Sequence, residues 1–349
     1  MIRVEVRRPL RAVCALIFRV NSETPGWDAI DTKLAELYPD VEPQHFGTII
    51  KFALGGSDPL DGVSFYPRTE PVPHWHLVSY GMSELYTKES DDPDESGWGF
   101  EFTFRIARAV DETDAPMWAA NLLQNLARYV YSSGNWFEPG HHMNANGPIR
   151  HEHPTEMTAL AFTEDPELGT IDTPHGRLRF LQVVGLTGEE YAAARRWDTD
   201  GVLGLLADRA PLLVTDLDRP SITDDPAARA AIEAGRERDG SSTGLLLIAG
   251  FRWDADGDAI RLRFKAVTAA TAAQAVRDRL PHGRPLLLEG DENRAVLSGA
   301  AAFAVRRSEN GVLELDLPAE AVAALPEVLA SGGGTVAGTH TVVIEVIES

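Results

Sequence analysis

Cysteine occurs once in this 349-residue chain, at Cys14. No disulfide can form within the chain, no Cys-based metal site can be built, and the usage fits a reducing cytoplasm, the location expected here. Lysine stands only at Lys33, Lys51, Lys88 and Lys265, and 32 basic residues face 53 acids for a net charge of -21. So acidic a surface repels phosphate backbones and anionic headgroups, which argues against nucleic-acid and membrane-surface partners and leaves protein partners open. No stretch reaches the roughly 18 uninterrupted apolar residues of a membrane span. There is no Gly-x-Ser-x-Gly and no His-Glu-x-x-His, and neither Gly55-Gly56-Ser57 nor Gly332-Gly333-Gly334 continues as a phosphate loop. Nothing catalytic stands out, so no cofactor, metal or enzymatic activity is expected.

What is present divides into three parts. Residues 1–22 carry Arg3, Arg7, Arg8, Arg11 and Arg19 against Glu5, then a short apolar run at 13–18. That run is shorter than a signal peptide's and lacks a cleavage pattern, so a disordered leader or a start assigned too far upstream is expected. Residues 23–237 form the first domain. A helix is expected from Thr24-Pro25 to Pro39, and strands at 46–54, 63–66, 74–80, 157–163, 178–185 and 212–216. At 98–106 a period-two pattern puts Trp98, Phe100, Phe102, Phe104 and Ile106 on a core face and Glu101, Thr103 and Arg105 on the other. A helix at 115–133 shows an apolar stripe of Trp118, Leu122, Leu126, Tyr129 and Val130. Thr187 to Glu190 reads as a capping box, and an Ala-rich helix opens at Asp225-Pro226 and closes at Gly235. Residues 236–242 are polar and read as a linker. Beyond them, 241–349 lose aromatics, gain Ala, Leu and Val, and form a smaller domain with helices at 271–280 and 319–329. The fold class expected is α+β, mixed sheets packed with helices in two domains joined by a short linker.

Two clusters suggest chemistry. Asp254-Ala255-Asp256-Gly257-Asp258 lacks the Gly and Glu of a calcium loop and reads as a hairpin turn. His141, His142, His151 and His153 crowd one loop, while His74 and His76 share one strand face. Such imidazoles can hold zinc, which makes a metal-dependent hydrolase on the His141–His153 loop the alternative reading, though packing accounts better for His74 and His76.

Several blocks in order carry a family likeness: K-F-A-L-G-G-S-D-P-L-D-G-V at 51–63, H-W-H-L-V-S-Y-G-M-S-E-L-Y at 74–86, G-F-E-F-T-F-R at 99–105, L-A-R-Y-V-Y at 126–131, F-T-E-D-P at 162–166, F-L-Q-V-V-G at 180–185 and L-V-T-D at 213–216. Over about residues 25–240 the chain resembles the suppressor of fused family, with a weaker likeness at R-L-P-H-G-R, 279–284. The resemblance implies an adaptor, not an enzyme. Animal members are cytoplasmic negative regulators of Hedgehog signalling that clamp an extended Gli-type peptide between two domains, an added-strand mode. The matching positions here are Tyr129, Phe137 and His141, with apolar residues at 245–248, of which Leu246 and Leu247 are the named candidates.

Two departures bear on the ligand. Animal members have an acidic residue where His141 stands, and their long C-terminal insertion is absent. The Ala- and Arg-rich usage points to a bacterial owner without the animal pathway. The expected partner is therefore a protein or peptide of another kind. A toxin neutralised by an immunity protein is the specific candidate that bacterial relatives of the family suggest.

Overall fold

The computed structural model describes residues 2–3, 24–52, 55–151, 153–257, 259–291, 293–308, 310–339 and 341–348. Most of the expected leader lies outside them. By internal contacts the chain divides into two units. The first comprises 1–191 with 203–221, the second 192–202 with 222–349. Of the expected first domain, 23–237, this division gives 192–202 and 222–237 to the second unit.

The first unit is one sheet, nine-stranded among the described residues. Its strands are β1 (Ile2–Arg3), β2 (Gln44–Gly47), β3 (Gly62–Arg68), β4 (His74–Tyr80), β5 (Glu95–Ala107), β6 (His142–Asn144), β7 (Met157–Glu164), β8 (Thr170–Thr173) and β9 (Gly176–Thr187). They run in the order β1-β2-β3-β4-β5-β9-β7-β6, with β8 pairing β9. The central pair β5 and β9 is parallel, and β4 lies antiparallel to β5.

Alternation divides the side chains between two cores. Val63, Phe65, Trp75, Leu77, Phe102, Phe104, Leu181 and Val183 pack with helix α2 (Met117–Ser133). Tyr66, Val78, Tyr80, Leu178 and Phe180 pack with helix α1 (Pro25–Leu37) through Ile30, Leu34 and Tyr38. The polar face of β5, expected to be merely opposite the core, is therefore buried as well: Glu101, Thr103 and Arg105 are inaccessible to solvent. Period two identifies the faces of a strand but not whether a second layer covers the polar one.

Other expectations needed correction. The strand read at 46–54 ends at Gly47, where pairing to Gly62 ends, and Ile49, Ile50 and Phe52 are exposed. Residues 212–216 are no strand. Leu212 and Leu213 take positive φ values of 56° and 53°, and one bridge, Ile106 to Thr215, ties the segment to β5. The stripe of α2 is rotated, burying Ala119, Ala120, Leu123, Leu126, Ala127 and Val130 and leaving Tyr129 39% exposed. Thr24 precedes α1 without a side-chain capping bond. The capping box is as expected: Thr187 N donates to Glu190 Oε2 at 2.9 Å and Glu190 N to Thr187 Oγ1 at 3.2 Å, opening α3 (Gly188–Arg196). Helix α4 (Thr199–Ala207) follows.

In the second unit, α5 (Pro226–Asp239) is capped by the Asp225 side chain and passes through Gly235 to end at Gly240. A Cβ at Gly235 would stand 2.2 Å from the Trp197 ring, so glycine serves close packing there rather than helix ending. The 236–239 part of the expected linker is the last turn of α5. Ser241 is pinned by bonds to Asp278 O and Arg195 O. A five-stranded sheet has the order β10-β13-β14-β16-β15, and a four-stranded one β11-β12-β18-β17. Their strands are β10 (Leu245–Leu247), β11 (Arg252–Asp256), β12 (Ala259–Lys265), β13 (Leu286–Glu289), β14 (Arg294–Gly299), β15 (Ala304–Arg307), β16 (Leu313–Leu317), β17 (Gly333–Thr335) and β18 (Val342–Ile347). The expected calcium-like turn joins β11 to β12 as a hairpin. Gly333 and Gly334 lie in strand β17. Helices α6 (Ala266–Arg279) and α7 (Ala319–Ala330) share the core with both sheets. The fold is α+β.

Candidate partner-binding surface

The surface candidate on the first unit begins where α2 ends. Gly134, at φ 73°, closes the helix in the left-handed conformation and redirects the chain through Asn135, Trp136 and Phe137. Phe137 turns inward: it is buried and stacks on Phe162 with centroids 4.1 Å apart. Tyr129 stacks on Phe137 at 5.6 Å, making a three-ring column from core to solvent. Beside it Trp136 is 55% exposed and its Nε1 donates to Glu138 Oε1 at 3.2 Å. The Glu138 amide donates to Nδ1 of exposed His141 at 3.2 Å. A ring nitrogen that accepts carries no proton, so neutral His141 presents Nε2–H as a donor. Trp136, which the sequence left balanced between a loop anchor and a cleft residue, is the more exposed aromatic of the pair with Phe137.

The two other candidates lie on β10, an edge of the five-stranded sheet. Leu246 packs into the second unit's core and is 9% exposed, so its side chain does not face outward from β10. Leu247 is 69% and Leu245 44% exposed. The outward pair is thus Leu245 and Leu247, as strand alternation requires.

Among the described residues no group of three His, Cys, Asp or Glu side chains could hold a metal ion. His153 Nε2 lies 2.8 Å from Asp218 Oδ1, and His142 packs edge-on to Tyr191.

His76 belongs instead to a polar network on the α1 side of the sheet, while buried His74 bonds the Val72 carbonyl through Nδ1. Arg105 grips Asp165 with both Nη atoms, at 2.5 and 3.0 Å, and also donates to Gln182 and Glu167. Thr103 Oγ1 donates to Asp165, and His76 bridges Asp165 at 3.2 Å and the Tyr38 hydroxyl at 2.6 Å. Burial pushes His76 down to about 4, with Arg105 acting the same way against its bond to Asp165. Burial alone would raise Asp165, but the His76 bond and the Arg105 charge outweigh it and hold the carboxyl well below its usual range. Nearby, burial raises Glu101, opposed by five donors: the hydroxyls of Ser79 and Ser83 and the amides of Gly81, Met82 and Ser83. His76, Glu101, Thr103, Arg105, Asp165 and Gln182 are buried, with Glu167 at the partly exposed edge, and the network orders the sheet.

The suppressor of fused protein family model matches residues 56–220. A chain of the Sufu-Fu complex crystal structure is 32% identical, covers 60% of this chain and is itself 98% covered, with a TM-score of 0.56. This chain belongs to the suppressor of fused family. The human and mouse suppressor of fused homologs are each 38% identical over 236 residues, 62% of this chain and 48% of theirs. The chain therefore spans about half the length of the curated relatives it matches. The crystal structure of Drosophila Suppressor of Fused shares the fold, with a TM-score of 0.82 over 94% of this chain and 98% of that one at 23% identity. The family blocks read in the sequence include His76, Glu101, Arg105, Asp165 and Gln182 of the buried network.

Proposed function

We propose that this suppressor of fused family member is a non-enzymatic protein-binding adaptor or regulator acting in a bacterial cytoplasm. In this reading an extended peptide or partner protein is clamped by surfaces of both units: the Tyr129–Trp136–His141 surface of the first and the β10 edge of the second. The carrying observation is Tyr129, a half-exposed ring held in place by a buried one. A rigid aromatic at a surface gives contact area at low entropic cost, which is how interface anchors work. The exposed Leu245 and Leu247 on an edge strand suit main-chain pairing with a ligand strand. A relative whose crystal structure is that of the Sufu-Fu complex supports a protein as the ligand class.

The specific role we assign is toxin immunity, which the net charge of -21 suits if the toxin is basic. The test is affinity purification with mass spectrometry using wild type, Tyr129→Ala and Leu247→Asp. A partner recovered by wild type and lost from both folded variants supports the clamp. Equal recovery by all three overturns it. If the recovered partner is not toxic when expressed without this chain, the immunity role fails while the adaptor reading stands.

A further inference from the structure

Strand β10 has β13 on one side and, among the described residues, no strand on the other. The Leu287 amide donates to Gly244 O at 2.8 Å, and the Ile248 amide to Glu289 O at 2.8 Å. Residues 244, 246 and 248 thus turn their main-chain groups towards β13, and strand alternation turns those of Leu245 and Leu247 to the open edge. Each of these two residues brings one N–H and one C=O to that edge.

The other sheet edges of the second unit are guarded. Strand β15 carries Arg306 and Arg307, β11 carries Arg252, Asp254 and Asp256, and β17 begins with Gly333 and Gly334 at φ 118° and 145°. Charge and irregular backbone are how sheet edges avoid pairing with other chains. Strand β10 reads Leu245-Leu246-Leu247, with neither charge nor proline. On its outward face Leu245 is in register with Leu287, and Leu287 with Val296, a continuous apolar row. The charges beside that row are paired with one another, Glu289 with Arg294 and both Glu314 and Asp316 with Arg306. This face therefore asks for no countercharge from whatever pairs with it.

We propose that the β10 edge pairs with the β10 edge of a second copy of this chain, antiparallel about a two-fold axis through Leu246. In that register Leu245 faces Leu247 of the partner subunit, and each such pair exchanges two main-chain bonds. All four open groups of each strand are then satisfied, and the outward leucines of both copies meet as cross-strand neighbours. The strand is its own complement, so no second sequence is needed. The contact is small, which makes the dimer a weak one. The same edge is the one assigned above to a protein partner. Self-pairing excludes that partner, a consequence that rests on the adaptor reading, whereas the self-pairing itself does not.

The test is sedimentation velocity of the whole chain over a roughly hundredfold range of concentration, which should show monomer passing reversibly to dimer. Added sodium chloride should strengthen the dimer, because two copies each of net charge -21 repel and salt screens that repulsion. Leu247→Pro removes an outward amide that β13 does not use. By symmetry it deletes two of the four bonds across the axis and should weaken dimerisation at least about tenfold. Leu247→Lys should also weaken it, by the device the other edges use, and serves if the proline variant does not fold. Val305→Lys, on β15 at the opposite edge of the sheet, should leave dimerisation unchanged. A chain monomeric throughout would overturn the self-pairing and leave the adaptor reading to its own test. The self-pairing is also overturned by a dimer that salt weakens, that persists undiminished in folded Leu247→Pro or Leu247→Lys, or that falls equally in Val305→Lys.

Discussion

Tyr129 lies over the buried ring of Phe137, centroids 5.6 Å apart and planes 29° from parallel, and Phe137 in turn lies flat on Phe162. The stack gives its two outer members different roles. Phe137 belongs to the core, and removing it leaves a cavity beneath Tyr129.

Phe137→Ala should therefore lose about 3–5 kcal/mol of stability, whereas Tyr129→Ala should lose less than about 1 kcal/mol. Urea unfolding followed by tryptophan fluorescence measures both. Tyr129→Ala is the clean probe of partner binding. Phe137→Ala, chosen from the resemblance as a second probe, confounds binding with folding. Equal losses for the two would mean that Tyr129 is core.

The Arg105–Asp165 pair predicts strong coupling. Arg105→Met leaves a buried carboxylate with its other donors but no countercharge, and should cost about 3–5 kcal/mol. Asp165→Asn should cost a similar amount. The double variant should cost clearly less than the sum, because neither residue retains a charge to strand. Additive losses in a double-mutant cycle would contradict the pairing.

His76 sets a pH dependence. Its folded value is pushed down to about 4 from an ordinary 6.5, chiefly by burial. Between those values the unfolded chain takes up a proton that the folded chain refuses, so stability is present above about 6.5 and is lost as pH falls towards 4. From pH 7 to 5 this one residue should lower the thermal midpoint by roughly 4–8 °C. His76→Gln should flatten that slope. His74, also pushed down to about 4 by burial, should leave a residual slope of the same sign.

Gly235 lies inside α5, where alanine is intrinsically the better helix former by about 1 kcal/mol. The close approach of Trp197 reverses that preference, since the added methyl would overlap an indole that also donates to Asp239. Gly235→Ala should destabilise the second unit, and Gly235→Ala with Trp197→Phe should recover part of the loss. Circular dichroism melts distinguish the outcomes; a stabilised single variant would show that the indole moves aside freely.

Local chemistry alone determined a good part of this protein. The aromatic alternation at 98–106, the strand at His74–Tyr80, the Thr187–Glu190 box and the hairpin after Asp256 depend on neighbours within a few residues, and they stand where the sequence puts them. The in-order blocks of the family likeness were likewise legible. What the sequence could not show was which polar face another layer would cover. Arg105 and Glu101 read only as opposite the aromatic core face, because alternation carries no information about a second layer such as α1, more than sixty residues earlier. Tyr129 read as part of a helix stripe because apolar spacing does not fix the rotation of α2 against the sheet. Leu246 read as a contact because its neighbours share its hydrophobicity and only strand pairing decides which of them turns inward. The open edge of β10 is defined by β13, from a later part of the chain, pairing the strand's other side. Such a surface exists only after non-local packing has brought those two segments together.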